Sequence, residues 1–169
     1  MQRTSHHVKL RDSAVFKKQL LQWAQQFNTV VWLDSNNYEQ NYSNYDAVLA
    51  VDAHTFIETD TTNAFAQLKK YQSAVRDYIF GYLSYDLKND LENLVSRNFD
   101  GLKFPAQYFF QPKKLFLFSG NSLEVKYLFK YKESMEADLK EIFSSTCQTG
   151  PSSKNIKIKL RIHKDSYYK

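Results

Sequence analysis

Lys114-Leu115-Phe116-Leu117-Phe118-Ser119-Gly120-Asn121-Ser122-Leu123-Glu124-Val125-Lys126-Tyr127 decides the fold class. Ser119-Gly120-Asn121-Ser122 is turn chemistry between two apolar runs, and so short a connection joins antiparallel strands in a hairpin. On the return, Leu123, Val125, Tyr127 and Phe129 alternate with Glu124, Lys126 and Lys130. A period of two puts the apolar set on one face of a sheet. Just upstream, Tyr108-Phe109-Phe110 is further strand material. Gln111-Pro112 is expected to interrupt it, because proline lacks a donor for the strand ladder.

Further toward the N-terminus, residues 78–85 read as a strand with Gly81 inside it. Interior glycine weakens a strand, so it marks a bulge or a close backbone approach. Residues 86–94 read as a short amphipathic helix with Leu87, Leu91 and Leu94 aligned, and residues 98–105 as a loop. A helix is expected from the caps Asp60-Thr61-Thr62 to about Ser73, with Phe65, Leu68 and Tyr71 or Gln72 facing inward. Residues 55–59 and 47–51 read as two strands paired through a turn at Asp52-Ala53-His54, the second of them buried. Val30-Val31-Trp32-Leu33, wholly apolar, reads as another buried strand. Between them lie the turn Asp34-Ser35-Asn36-Asn37 and a polar, tyrosine-rich loop over residues 38–45. Asp12 or Ser13 caps a helix whose stripe is Phe16, Leu20, Trp23, Ala24 and Phe27, with Asn28 as its stop. Residues 1–7, with His6 and His7, read as a frayed terminus.

On the C-terminal side, residues 134–143 form a helix with Met135, Leu139, Ile142 and Phe143 on one face. A Ser/Thr-rich linker follows. Ile156, Ile158, Leu160 and Ile162 then alternate with Lys157, Lys159 and Arg161, as in a half-buried strand. The whole pattern is α+β: antiparallel β-sheet layers with packed helices. The expected organisation is a domain over residues 1–147, a linker over 148–155, and over 156–169 the start of a further domain. A lone strand cannot hide its apolar face.

Composition sets outer bounds. The chain has 169 residues, 43% hydrophobic and 24% charged, a globular balance that excludes wholesale disorder. Twelve Tyr and thirteen Phe beside four Gly and three Pro favour sheet over a helix bundle. No apolar run is long enough for a membrane helix, and the opening residues lack the apolar core of a secretory signal. A single cysteine, Cys147, leaves no internal disulfide, and a reducing, cytoplasmic setting is expected. The net charge is +5, yet residues 1–150 hold 17 basic and 17 acidic side chains, so the whole excess lies in the last 19 residues. With no basic patch on the body, Lys157, Lys159 and Arg161 read as the wet face of a strand, and no nucleic acid is expected.

No catalytic signature is present. There is no phosphate loop, no dinucleotide fingerprint and no nucleophile elbow, and the four histidines lack metal-ligand spacing with Cys147. Asp86, Asp90 and Glu92 read as solvated charge. Trp32-Leu33-Asp34-Ser35 and Ser43-Asn44-Tyr45-Asp46-Ala47 are less ordinary. If their strands are neighbours, their polar groups converge beside aromatic rings, a combination suited to the ammonium and carboxylate of an amino acid. Read from the residues alone, turn capping by Asp34, Ser35 and Asp46 is the stronger account.

Together these segments resemble the N-terminal domain of component I of the chorismate-utilising synthases, the family of anthranilate synthase and aminodeoxychorismate (para-aminobenzoate) synthase. The family's early Leu-Leu-Glu/Asp-Ser motif is matched by Trp32-Leu33-Asp34-Ser35. Its Ser-Arg-Phe/Tyr-Asp/Ser element is matched by Ser43-Asn44-Tyr45-Asp46, with Asn44 in place of the arginine. Its Gly-Tyr-x-x-Tyr-Asp/Glu motif is matched by Gly81-Tyr82-Leu83-Ser84-Tyr85-Asp86, and Phe104-Pro105 leading into Tyr108-Phe109-Phe110 also fits. Leu87-Lys88-Asn89-Asp90-Leu91-Glu92 is more similar to the aminobenzoate branch than to the tryptophan branch. Residues 161–168 resemble the opening of the family's chorismate-binding domain.

The resemblance implies a tryptophan-like pocket at Leu33, Ser35, Ser43, Tyr45, Asp46 and Ala47. It implies that chorismate, magnesium and the catalytic groups belong to the missing C-terminal chorismate-binding domain, whose Pro-Ile-Lys/Ala-Gly-Thr segment does not occur here. No catalytic residue and no cofactor therefore carries over to this chain. The expected partners of the full-length enzyme are that domain and a glutamine amidotransferase subunit. A stand-alone module for a small ligand or a protein is the alternative of a different class.

Overall fold

The computed structural model describes residues 2–36, 38, 42, 44–92, 94, 101–146 and 166. The proposed linker, Cys147, Ser43 and the alternating segment 156–162 lie outside the described residues. Chain order is β1 (Arg3–Lys9), α1 (Ser13–Ala24), β2 (Val30–Asp34), β3 (Ala47–Thr59), α2 (Ala64–Val75), β4 (Phe80–Leu83), α3 (Lys88–Glu92), β5 (Gln107–Ser119), β6 (Ser122–Leu128) and α4 (Met135–Ser144). The strands form one antiparallel sheet in the order β1-β6-β5-β3-β2, and β4 pairs with the N-terminal part of β5. The architecture is α+β, as the alternation implied.

The hairpin closes where expected: Ser119 pairs with Ser122 across Gly120, whose φ of 55° suits glycine in a tight turn. Around it, sequence and structure part in an instructive way. β3 and β5 are each one continuous 13-residue strand, not two pieces. Their ladder runs from Ala47↔Phe118 to Thr59↔Gln107 and shifts register once, between Ala53 and Thr55. Ala53 lies opposite Pro112. The two expected breaks thus fall at one place, where a bulge in β3 faces the missing N–H of the proline and both strands continue past it. Asp52 turns the chain there at φ 63°, and Lys113 Nζ stands 2.9 Å from its Oδ1.

The N-terminal residues are not frayed. They form β1, paired along its length with β6. Ser5, His6 and His7 in mid-strand are all exposed and Val8 is the one apolar residue of β1, so no apolar alternation marks the segment as a strand. β2 is an edge strand, with Val30 and Leu33 exposed, so its apolar run does not mark a buried strand. In α2 only Ala64 is fully buried and Phe65 is exposed, against the inward stripe read from the sequence. In the segment around α3 Leu87 is buried, whereas Leu91 and Leu94 are exposed.

One face of the sheet carries the main core. Asp12 caps α1 by accepting from the Val15 N–H at 3.0 Å. Phe16, Leu20, Trp23 and Ala24 of α1 and Met135, Leu139 and Ile142 of α4 pack on Leu49, Val51, Phe116, Phe118, Val125 and Tyr127. Each fully buried side chain of this size contributes about 1.5–3 kcal/mol. A polar cluster crosses this layer. Lys114 Nζ lies 2.6 Å from Asp138 Oδ2, which also accepts from Tyr127 Oη at 2.9 Å and Ser134 Oγ at 3.2 Å. The ammonium sits 5.0–5.4 Å from the ring centroids of Phe27, Trp23 and Tyr127. Burial, with the Asp138 charge beside it, raises the Tyr127 pKa.

A second polar anchor ties β1 to the far end of the sheet. Arg3 Nε donates to Asp77 Oδ1 at 2.8 Å, Arg3 Nη2 to the Pro112 carbonyl at 2.7 Å, and Gln111 Nε2 to Asp77 Oδ2 at 2.7 Å. Burial raises the Asp77 pKa, but the bonds from Arg3, Gln111 and the Tyr78 N–H outweigh it and hold the carboxyl below its ordinary value.

Candidate functional site

Antiparallel pairing of β2 with β3 puts Asp34, the last residue of β2, opposite Ala47, the first of β3. The polar loop between them therefore leaves and re-enters the sheet at one point on its edge. The Ser35 N–H donates to the Asp46 carbonyl at 2.8 Å, and the Asp46 N–H to the Phe118 carbonyl at 2.8 Å. A solvent-open depression of about 260 Å³ forms there, lined by Leu33, Asp34, Ser35, Tyr45, Asp46, Ala47 and Val48. Five of the six expected positions share this depression; the sixth, Ser43, lies outside the described residues.

The sequence marks Asp34 as a turn cap but gives no sign of its contact with Lys17. Asp34 Oδ1 accepts the Asn36 N–H at 2.9 Å, and its Oδ2 lies 3.2 Å from Lys17 Nζ on α1. Lys17 also stands 5.9 Å from the Trp32 ring centroid and 5.7 Å from that of Phe118. No local pattern flags this contact, because α1 and β2 meet only after the sheet has formed. Asp46 Oδ2 accepts a short bond from the Gly120 N–H, which ties the loop to the β5–β6 turn. The capping account of Asp34 and Asp46 therefore holds, and the same residues also line the depression. The volume is slightly below the usual ligand-pocket range, a size for a molecule no larger than one amino acid.

The second family-like segment has a clear physical reading. A methyl on Gly81 would meet the Tyr108 carbonyl oxygen at 1.9 Å and Phe109 Cα at 2.7 Å, so Gly81 marks a close backbone approach. The register places Glu58, Tyr108 and Tyr82 abreast on β3, β5 and β4. Phe56, Tyr108, Tyr82 and Phe104 make a row of rings with successive centroids 5.8, 6.4 and 6.5 Å apart. Phe56, Tyr82 and Phe104 are exposed.

Asp86 and Asp90 do not form a carboxylate pair. Asp86 stands 3.5 Å from Lys88, and Asp90 accepts the Asn63 N–H at 2.9 Å, ahead of α2. His54 Nδ1 lies 3.1 Å from Tyr131 Oη. Among the described residues no group of three or more His, Cys, Asp or Glu is close enough to hold a metal ion, and no helix is long and apolar enough to cross a membrane. A larger trough of about 480 Å³ runs between β1 and α4, lined mainly by Val8, Met135, Leu139 and Phe143 with His6, Lys132 and Glu136. It escaped sequence reading because β1 did. No protein-family model matches the chain, and no curated protein is significantly similar to it.

Proposed function

We propose that this chain is the N-terminal, non-catalytic part of an aminodeoxychorismate synthase component I, with a regulatory pocket for a small aromatic amino acid such as tryptophan. The observation that carries the reading is convergence. Leu33 and Ser35 from one motif, and Tyr45, Asp46 and Ala47 from another, line a single depression. Gly81 supports it independently, because the Gly-Tyr-x-x-Tyr-Asp motif needs its glycine here for a stated steric reason. The anthranilate synthase branch shares both motifs and is the nearest variant of the same reading.

On this reading the full-length enzyme aminates chorismate toward para-aminobenzoate, in the cytoplasm. A glutamine amidotransferase subunit supplies its ammonia, and magnesium is held by the C-terminal domain. The role of this chain is to bind and signal, with Leu33 and Tyr45 flanking the indole and Ser35 meeting the polar end. The test is calorimetric titration with tryptophan, run beside an assay of ammonia-dependent chorismate turnover. Saturable binding that weakens in Ser35→Ala, with no turnover by the chain alone, is expected. Turnover by the isolated chain, or no tryptophan binding up to millimolar concentration, overturns the proposal.

A further inference from the structure

We infer that residues 156–162 add to the free edge of β1 as a further strand, antiparallel to it, and lay Ile156, Ile158, Leu160 and Ile162 over the trough between β1 and α4. Among the described residues β1 pairs with β6 alone, so its outer side is an open strand edge seven residues long. The trough of about 480 Å³ runs beside that edge. Met135, Leu139 and Phe143 line it as one stripe of α4, and Phe143 is 49% exposed. The segment 156–162 matches the edge in length, and its four apolar residues alternate with Lys157, Lys159 and Arg161. A strand so patterned needs one covered face and one wet face. The trough supplies the cover, and on the other side of β1 Ser5 and His7 are exposed to water.

Chain connectivity selects this edge over the opposite one at β2. Successive antiparallel pairings make β1 and β2 parallel to each other and β6 opposite to both. α1, which joins β1 to β2, and α4, which follows β6, pack on the same face of the sheet. Crossovers between parallel strands of one sheet are almost always right-handed. With the helix on a given face, reversing the first strand reverses the direction of the right-handed step. β1 steps through α1 toward β2, so a right-handed step from β6 through α4 goes the other way, past β1. A strand placed there is parallel to β6 and antiparallel to β1. A strand parallel to β6 beyond β2 would need the left-handed crossover. The end of α4 agrees, because Phe143 also neighbours Lys9 and Leu10, where β1 ends. Residues 145–155 span up to about 36 Å, more than the turn back onto β1 requires. This moves the end of the domain from residue 147 to Ile162.

Facing residues of an antiparallel pair share a side of the sheet. His6 and Val8 line the trough, so apolar residues face them, and the two registers with the fullest overlap put Ser5 opposite Lys159 or Arg161. The experiment introduces cysteine pairs into the full chain carrying Cys147→Ser. Ser5→Cys is combined with Lys159→Cys or with Arg161→Cys, and Leu33→Cys with Lys159→Cys is the control at the β2 edge. Facing Cα atoms lie about 4.5–5.5 Å apart, within disulfide range. Under mild oxidation one Ser5 pair is expected to close within a single chain, read by non-reducing electrophoresis and peptide mass, while the control stays reduced. On the wet face these substitutions leave the apolar cover intact. As a second readout, Ile158→Asp with Leu160→Asp should speed amide hydrogen exchange in β1 at least about tenfold and leave β3 and β5 protected. Closure of the control pair, disulfides formed only between chains, or closure of neither Ser5 pair overturns the placement, as does β1 exchange unmoved by the two aspartates.

Discussion

Gly81→Ala isolates one steric contact and so gives the sharpest test of the sheet as described. The backbone at Gly81 lies outside the left-handed region, so alanine meets no conformational penalty there, and the entire cost is collision. The new methyl would sit 1.9 Å from the Tyr108 carbonyl oxygen, where ordinary contact begins near 3.4 Å, so β4 and β5 must part by about 1.5 Å. Neither obstructing atom belongs to a side chain that can rotate away. Overpacking of this kind costs about 1–3 kcal/mol. Loosening the Phe80↔Phe110 to Leu83↔Gln107 ladder adds about 0.5–1.5 kcal/mol for each hydrogen bond lost. The sum is about 2–4 kcal/mol, or a fall in Tm of about 5–15 °C for a chain of this size. Urea unfolding followed by far-UV circular dichroism measures it. Gly120→Ala is the control, because nothing lies within 4 Å of its added methyl and only the positive φ opposes it, at about 1–2 kcal/mol. A Gly81→Ala protein within about 0.5 kcal/mol of the parent, or one less affected than Gly120→Ala, would refute the close approach.

Two further outcomes test the polar anchors. Asp77 has a depressed pKa when folded, so its stabilisation is complete above the unfolded value of about 3.9 and is lost as pH falls through the folded one. Arg3→Met should cost about 3 kcal/mol at pH 7, and the gap from the parent should narrow below about pH 4; chemical unfolding between pH 7 and 2.5 reads both, and a gap independent of pH contradicts the pairing. Asp138→Ala strands the Lys114 ammonium among three rings and should cost about 3 kcal/mol, whereas Lys114→Met combined with Asp138→Ala should cost less than the two single changes added together. Additive costs in the double-mutant cycle would show the two groups to be uncoupled.

How much was legible in the sequence followed the range of the forces involved. α1, α4 and the β5–β6 hairpin were readable, because caps, a helical stripe and a turn are local signals. The continuity of β3 and β5 was not, since it depends on a bulge at Ala53 meeting Pro112 on a partner far along the chain. His6 and His7 hide β1, and Val30-Val31-Trp32-Leu33 reads as an inner strand because an edge position leaves no mark in an apolar run. At the candidate site, the two motifs that supply Leu33, Ser35, Tyr45, Asp46 and Ala47 are visible in the sequence and share one depression, whereas the Lys17–Asp34 contact needs the packed helix.

The long β3–β5 ladder also sets the order in which the molecule can assemble. Ala47 and Phe118 are about 70 positions apart, and Arg3 pairs with Leu128 across nearly the whole described chain, so both closures lose much chain entropy before any contact compensates. The β5–β6 turn closes over a few residues and forms on the microsecond scale. That hairpin is the natural template, β3 the slow arrival, and the overall folding rate belongs to sheet closure, with the helices settling onto a surface that must already exist.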